Sequence, residues 1–148
     1  MKRSALLVSV AVLGGCTFTS DAFRKELEWK DQEIHDYRFV YTKSCFCGFD
    51  GPNPALITVR NDEVAKVEYI IPPSTPKGPV PTNGYPSIKA LFAIIADARA
   101  RGADKLDIDY DETYAFPRSV RIDYEKNTTD DEVEYKVENF TLLSAGQQ

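Results

Sequence analysis

The sequence is poor in histidine, in positive charge and in long apolar runs, and each shortage excludes a class of protein. Histidine occurs once, and no motif supplies the nucleophile and orienting carboxylate that catalysis through His35 would need. The 18 Lys and Arg are outnumbered by 23 Asp and Glu, which argues against a nucleic-acid partner because neutralising phosphates needs a basic face. The apolar run Ala5–Leu13 is shorter than the roughly 20 residues that span a bilayer, which excludes a transmembrane helix at this run.

What the sequence contains is the composition of one small globular domain. Its 148 residues are enough for a single hydrophobic core and no more. Hydrophobic residues make up 43% and charged residues 28%, and these ordinary fractions exclude disorder of the whole chain. The 8 Gly and 9 Pro are too few for a collagen-like chain.

The N-terminus has the pattern of a lipoprotein signal. Lys2 and Arg3 precede the apolar run, and the stretch from Leu13 to Cys16 resembles a bacterial lipobox. The resemblance implies that residues 1–15 form a signal peptide, that cleavage makes Cys16 the first residue, and that Cys16 is acylated. The alternative is an ordinary secretory signal with a chance cysteine.

This signal predicts a location for the chain. Cleavage leaves 133 residues, and the loss of Lys2 and Arg3 changes the net charge from −5 to −7. Acyl chains bind a membrane with about 0.8 kcal/mol per buried CH₂, so we expect residues 16–20 to be the lipidated cysteine and a short tether. Thr17 stands where an Asp favours inner-membrane retention. We therefore expect an extracytoplasmic lipoprotein, in the outer membrane if the cell is Gram-negative.

The first half of the domain predicts a helix followed by three strands. Ser20 is a suitable N-cap, and a helix is expected from Ala22 to about His35. Alternation of apolar and polar residues predicts strands at 37–41, 55–59 and 64–71, with a tight turn at 61–62. The helix is expected to bury one side, which carries Phe23, Leu27 and Ile34, with Trp29 near it.

The second half repeats this order after a proline-rich segment, 72–86, which we expect to be an extended surface loop. Three strands are expected near 106–110, 120–124 and 133–137. In the last of them the inward-facing residues resume at Phe140, three residues after Val137 instead of two. That change of phase predicts a β-bulge near Glu138–Asn139. The helix before these strands is expected to begin after Ser87, to end before Gly102 and to bury Ile88, Leu91, Phe92 and Ile95.

Together these elements predict an α+β fold with the order α-βββ-α-βββ. Grouped strands favour an antiparallel sheet with two helices packed on one face, and the alternation predicts that the other face meets water. We expect residues 21–143 to form a single domain and residues 144–148 a disordered tail.

A set of motifs spread over the chain comprises Trp29, Tyr37, Phe39, Tyr41, the Ser44–Cys47 stretch, Ser87–Ile88, Leu91–Phe92, Tyr110–Pro117, Ile122–Asp123 and the strand 133–140. Together they resemble a bacterial lipoprotein family catalogued as domain of unknown function 6174. The resemblance covers roughly residues 22–142 and implies the fold and the envelope location, without an activity. A glycine is expected before the Phe–Pro pair, where this chain has Ala115. The element order is also similar to PepSY-type and β-lactamase-inhibitor-like modules, a likeness that fixes no function.

Cys45 and Cys47 are the strongest candidates for chemistry. With Cys16 acylated they are the remaining pair, in a compartment that permits disulfides. We expect a local structural disulfide; a redox-active dithiol, a metal-binding pair and unpaired thiols stay open. The chain has no Cys-x-x-Cys motif at a helix N-terminus, which would lower a thiol pKa, and this argues against redox chemistry. Two thiolates with one distant His35 do not make four zinc ligands, and this argues against a zinc site. Counting free thiols and titrating the chain against glutathione separates these interpretations.

Other residues also have a structural and a functional interpretation. We expect the carboxylates of 107–112 to lie on a solvated sheet face, with Arg121 and Lys136 pairing across it. A calcium site is the alternative, although no EF-hand spacing is present. Tyr114 and Phe116 are expected either as a plug under the sheet edge or as part of a binding patch. A partner-docking loop, as the alternative to a simple crossover, would use Pro76, Pro79 and Pro81.

The sequence therefore predicts a non-catalytic, lipid-anchored cell-envelope lipoprotein that binds another protein or an envelope component. No catalytic residue, metal or cofactor is expected. We expect a monomer whose partners are the membrane, through acyl chains on Cys16, and an envelope protein. One alternative is a thiol–disulfide redox lipoprotein that uses Cys45 and Cys47. Another is an inhibitor of a periplasmic or secreted hydrolase, which rests on fold analogy alone.

Overall fold

A computed structural model of the chain describes residues 20–48, 51–71, 78–126, 128 and 130–144. The predicted signal peptide, Cys16, Pro76 and residues 145–148 of the expected tail lie outside the described residues. Within the described ranges, no helix is long and apolar enough to cross a membrane.

The chain folds into one six-stranded antiparallel sheet and two helices, in the order α-βββ-α-βββ. The predicted α+β class and element order are confirmed. Tyr37 on the sheet touches both helices, because its ring packs edge-on against Trp29 and its hydroxyl accepts a hydrogen bond from the amide of Ile88 at 3.0 Å. Both helices therefore cover the same face. The bounds are α1 Asp21–Lys30, β1 Tyr37–Cys45, β2 Ala55–Arg60, β3 Glu63–Tyr69, α2 Ile88–Ala100, β4 Lys105–Tyr110, β5 Pro117–Asp123 and β6 Val133–Leu142.

The strand order in the sheet is β3-β2-β1-β6-β5-β4. Each half of the chain forms its own run of neighbouring strands, and the two runs join where β1 pairs with β6. The second half therefore lies beside the first, with β6, β5 and β4 following β3, β2 and β1 across the sheet. The join between β1 and β6 lies at the centre of the sheet.

The core lies between the helices and one face of the sheet. Tyr37, Phe39 and Tyr41 of β1 are almost completely buried, and alternate residues of β2 join them. Successive side chains of a strand point to opposite faces, so Arg38 is exposed on the other face. The predicted alternation of buried and exposed residues is confirmed for these central strands.

The helix ends follow their sequence signals. The hydroxyls of Ser20 and Ser87 each accept a hydrogen bond at 3.3 Å from the amide three residues further on, which confirms both predicted N-caps. Gly102 follows α2 with a φ of 71°, the left-handed conformation that favours glycine after a helix. The amides of Gly102 and Ala103 donate to carbonyls in the last turn of α2, which completes the cap.

The first helix is shorter than predicted and is turned differently. It ends before His35, and it buries Ala22 and Trp29, whereas Phe23 and Leu27 stay 50% and 42% exposed. The reason is tertiary, because the indole ring packs edge-on against three aromatic rings of the core and this turns the Phe23 side outward. Those rings belong to Tyr37, Phe116 and Phe140.

The predicted β-bulge in β6 is confirmed. Arg38 of β1 pairs with Thr141, whereas Val40 pairs with Glu138, so β6 holds one extra residue between these two pairs. Asn139 lies in this interval with a φ of 52°. Asparagine tolerates the left-handed region better than most residues, which suits it to the bulge.

Candidate functional site

The last strand extends beyond the strand beside it. β6 pairs with β1 from Val133 to Leu142, but it pairs with β5 only from Val133 to Lys136. Among the described residues, the edge of β6 that faces β5 therefore has no partner strand from Val137 to Leu142. Unpaired backbone groups on such an edge are a template for another extended chain.

Pro117 opens β5 two residues before Ser119, where the pairing of β5 with β6 begins. A proline has no amide hydrogen to donate to a ladder, and the register of β4 against β5 shifts beside it. The preceding turn closes on itself, because the amide of Asp111 donates to the carbonyl of Phe116 at 2.8 Å and the amide of Ala115 donates to the carbonyl of Asp111 at 3.0 Å. These hydrogen bonds stay within the turn and do not reach β6.

The unpaired edge borders a hollow of about 420 Å³, which we call the notch. Aromatic rings contribute to its lining, with 4.6 Å between the ring centroids of Phe116 and Phe140 and 5.3 Å between those of Tyr114 and Phe140. The end of β5 and the turn before it lie opposite the edge. The residues that line the notch are Asp109, Asp111, Tyr114, Phe116, Arg118, Ser119, Lys136, Val137, Glu138, Asn139 and Phe140.

Asp111 fixes the turn that carries the predicted aromatic pair. Its carboxylate accepts hydrogen bonds from the amides of Thr113 at 2.9 Å and Tyr114 at 2.7 Å. Phe116 is only 2% exposed, as the plug interpretation predicts, whereas Tyr114 is half-buried and borders the notch. Ala115 has a φ of 61°, a region that costs a non-glycine residue about 1–2 kcal/mol. The backbone thus accounts for the glycine expected at this position.

Charges of both signs surround the notch. Arg118 binds the carboxylate of Asp109 at 2.5 Å, and this neighbour raises the pKa of Arg118. Lys136 binds Glu134 at 3.2 Å. Glu138, by contrast, is exposed and takes part in none of the ion pairs found among the described residues. An incoming segment therefore meets two cations that already bind carboxylates, and two carboxylates, Asp111 and Glu138, that take part in no ion pair found among the described residues.

The predicted pairing across the acidic run is wrong in its partner. Arg121 lies opposite Asp107 in the register of β4 and β5, but its guanidinium binds Glu134 of β6 at 3.1 Å. Burial raises the pKa of Glu134, but hydrogen bonds from Lys136 and Arg121 outweigh it and hold that pKa below its usual value. Among the described residues, no group of three or more His, Cys, Asp or Glu side chains is placed to hold a metal ion.

Cys45 and Cys47 form a disulfide with their Cα atoms 5.1 Å apart. This agrees with the predicted disulfide, while its structural and its redox-active interpretations both stay predictions. Phe46 between them is 77% exposed. The disulfide lies away from the notch, because Cys45 pairs with Val133 at the start of β6 whereas the notch borders its second half.

The remaining candidates lie apart from the notch. His35 follows α1 instead of ending it, and its Nδ1 lies 2.9 Å from a carboxylate oxygen of Asp62 in the turn between β2 and β3. Pro79 and Pro81 are exposed and do not line the notch. The structure therefore does not bring these prolines together with the aromatic pair.

Sequence reasoning missed the notch and the roles of Glu138 and Arg118 at its border. Two signals were visible, namely the bulge expected near Asn139 and the proline that opens β5. They locate an irregular strand and a strand end, but only the register between β5 and β6 places them side by side.

The fold and the notch define a class of protein, a small α+β domain with both helices on one face and an unpaired strand edge beside an aromatic hollow. Residues 23–142 match the model of a family of unknown function, DUF6174, and the chain belongs to this family. The match covers almost the whole described domain, and it confirms the family resemblance drawn from the motifs. The comparison with curated proteins found no match, and the comparison with solved structures found none.

Proposed function

We propose that the chain is a lipid-anchored, non-catalytic binding module of the cell envelope that holds an extended segment of another protein in the notch. The observation that carries the proposal is the edge of β6 from Val137 to Leu142, which lacks a partner strand beside an aromatic hollow. The anchor and the extracytoplasmic location are supported by the lipobox pattern that ends at Cys16. The chain acts as a monomer in this proposal.

Strand addition is the binding mode that this edge favours. The main-chain groups of the edge would supply hydrogen bonds, and side chains at alternate positions of the segment would supply specificity. The volume of about 420 Å³ is within the usual range of roughly 300–1,000 Å³ for binding pockets. The rings of Tyr114 and Phe140 offer apolar contact to those alternate side chains.

Charge favours a basic segment. The charged residues that line the notch are three carboxylates, Asp109, Asp111 and Glu138, and two cations, Arg118 and Lys136, and Glu138 is exposed without an ion pair among the described residues. The whole chain carries a net charge of −5, so a basic partner is also attracted at long range. We therefore expect a segment in which Lys or Arg alternates with aromatic or aliphatic residues.

Panning random dodecapeptides displayed on phage against the purified full chain tests this proposal. We expect selected peptides with the alternating basic and apolar pattern, and slower hydrogen exchange of the amides in Val137–Leu142 when they bind. E138K should weaken binding about tenfold, which corresponds to roughly 1.4 kcal/mol.

E63K is the matched control, because Glu63 is also an exposed carboxylate but lies at the start of β3, away from the notch. It should leave peptide binding unchanged. Equal effects of E138K and E63K, or protection confined to amides outside Val137–Leu142, would contradict the proposal.

The redox and inhibitor alternatives stay predictions. The redox alternative would place its chemistry at Cys45 and Cys47, at the other end of β6 from the notch. The inhibitor alternative would be separated from the proposal by co-purification with a hydrolase whose activity falls.

A further inference from the structure

The first helix exposes an apolar pair that the core does not use. Phe23 and Leu27 are four residues apart and therefore lie on one face of α1, with half or nearly half of each residue open to solvent. The buried face of the same helix carries Ala22 and Trp29. The exposed pair thus belongs to the side of α1 that is turned away from the sheet.

The position of this pair in the chain limits what it can meet. Only three residues lie between Cys16 and Ser20, which makes four steps along the chain, and an extended chain spans at most about 3.5 Å per step. The N-terminus of α1 is therefore confined within about 14 Å of Cys16. If Cys16 carries acyl chains, that distance keeps α1 at the membrane surface.

The charges of α1 do not oppose such contact. The helix has three acidic and three basic residues, so it is neutral in a chain that is otherwise acidic. The three bases each bind an acid of the same helix, in the pairs Arg24–Asp21, Lys25–Glu28 and Lys30–Glu26. A neutral helix with two exposed apolar side chains favours a contact with lipid that is apolar and not electrostatic.

We propose that Phe23 and Leu27 form a membrane-contact face that lays α1 on the bilayer holding the chain's own acyl groups. This inference rests on the proposed acylation of Cys16. It also predicts an orientation in which α1, which contacts the Tyr37 end of the sheet through Trp29, lies closer to the bilayer than residues at the other end of the sheet. Residues beyond the end of β3 lie at the opposite end, since Tyr37 pairs with Val59 whereas Tyr69 pairs with Ala55.

Fluorescence quenching by brominated lipids tests the orientation. The full chain is expressed in a bacterium and reconstituted into phosphatidylcholine vesicles whose acyl chains are brominated close to the headgroup. L27W is compared with I71W, because Ile71 is 81% exposed and follows β3 at the opposite end of the sheet. The signal of Trp29, the one native tryptophan, is subtracted using the unmodified chain.

We expect at least twofold quenching of L27W and none of I71W. We also expect the quenching to be unchanged by added salt, because the contact is apolar. Equal quenching of both variants, or quenching that salt removes, overturns the inference. Mass spectrometry and vesicle flotation of the same samples keep the two proposals distinguishable. An acylated chain that floats but is not quenched overturns the orientation alone, whereas an unacylated chain that stays in solution overturns the anchor and this inference together.

Discussion

Two buried tyrosine hydroxyls of the core have opposite surroundings. The hydroxyl of Tyr37 accepts a hydrogen bond from the amide of Ile88 at 3.0 Å, at the start of α2. The hydroxyl of Tyr110 is buried without a hydrogen-bond partner in the part of the chain that the structure describes. Burial raises the pKa of Tyr110 to about 12. The first hydroxyl satisfies a buried donor, while the second is buried without compensation.

The Tyr→Phe variants at these two positions should therefore change stability in opposite directions. Y110F removes an unsatisfied buried hydroxyl, so the free energy of unfolding should rise by about 1 kcal/mol. Y37F leaves the amide of Ile88 without a partner, so the free energy of unfolding should fall by about 1–2 kcal/mol. Urea denaturation of both variants beside the unmodified chain measures this, and changes of the same sign would contradict it.

The bulge in β6 is the irregular element on which the notch depends. Asn139 adopts a φ of 52°, and the extra residue returns Phe140 to the inward face that carries Val137, where its ring borders the notch. A β-branched side chain clashes with the backbone in this conformation, whereas glycine accepts it without strain.

Substitutions at Asn139 should separate backbone strain from strand propensity. N139V should lower the free energy of unfolding by about 2 kcal/mol, because Val is strained at positive φ, while N139G should change it little. T42V is the matched control, since Thr42 lies at a regular extended position opposite Lys136. Val is a good strand former, so T42V should be neutral or slightly stabilising. Equal losses in N139V and T42V, measured by urea denaturation, would show that the bulge conformation is not the cause.

At the scale of the whole molecule, buried tyrosines make stability depend on pH in the alkaline range. Burial is the largest cause that raises the pKa of five tyrosines above the ordinary value of 10.0, and at Tyr41 the neighbouring phenols of Tyr135 and Tyr85 add to it. A raised pKa means that the unfolded state loses its proton first as pH rises. Stability is therefore fully present below pH 10 and is lost as pH rises above it. The five residues are Tyr37, Tyr41, Tyr85, Tyr110 and Tyr135.

We expect the free energy of unfolding to fall steeply between about pH 10 and pH 12. Each tyrosine that stays protonated in the folded state contributes up to about 1.4 kcal/mol per pH unit to this slope. Y41F should make the slope shallower by that amount, because it removes one titrating group. Denaturation series at several pH values measure the two slopes, and parallel curves would contradict the assignment.

Local features of the fold were predictable because they depend on residues close together in the chain. The caps at Ser20 and Ser87 and the stop at Gly102 need only a hydroxyl, an amide or a flexible φ within one helical turn. The bulge near Asn139 was visible as a change in the two-residue alternation of β6. Such signals set the elements and their order, and the family match agrees with them.

The orientation of α1 was not predictable in the same way. The stripe of Phe23, Leu27 and Ile34 indicated one buried side, but Trp29 decided which way Phe23 and Leu27 face, by packing against rings far away in the sequence. The contact with Phe116 joins the two halves of the chain, so no window of neighbouring residues contains it. Burying the large indole ring of Trp29 stabilises the fold more than burying the smaller side chains of Phe23 and Leu27.

The notch has the same origin. The sequence by itself determined the α-βββ-α-βββ order, the turns and caps, the strand alternation and a bulged β6, because each follows from local sterics and hydrogen bonding. Only the tertiary structure decided that β1 and β6 join the halves and that β5 leaves β6 at Lys136. Strand pairing between distant segments depends on which residues pack together in the core, and no local pattern encodes that packing. The edge that we propose as a binding site is therefore a product of register.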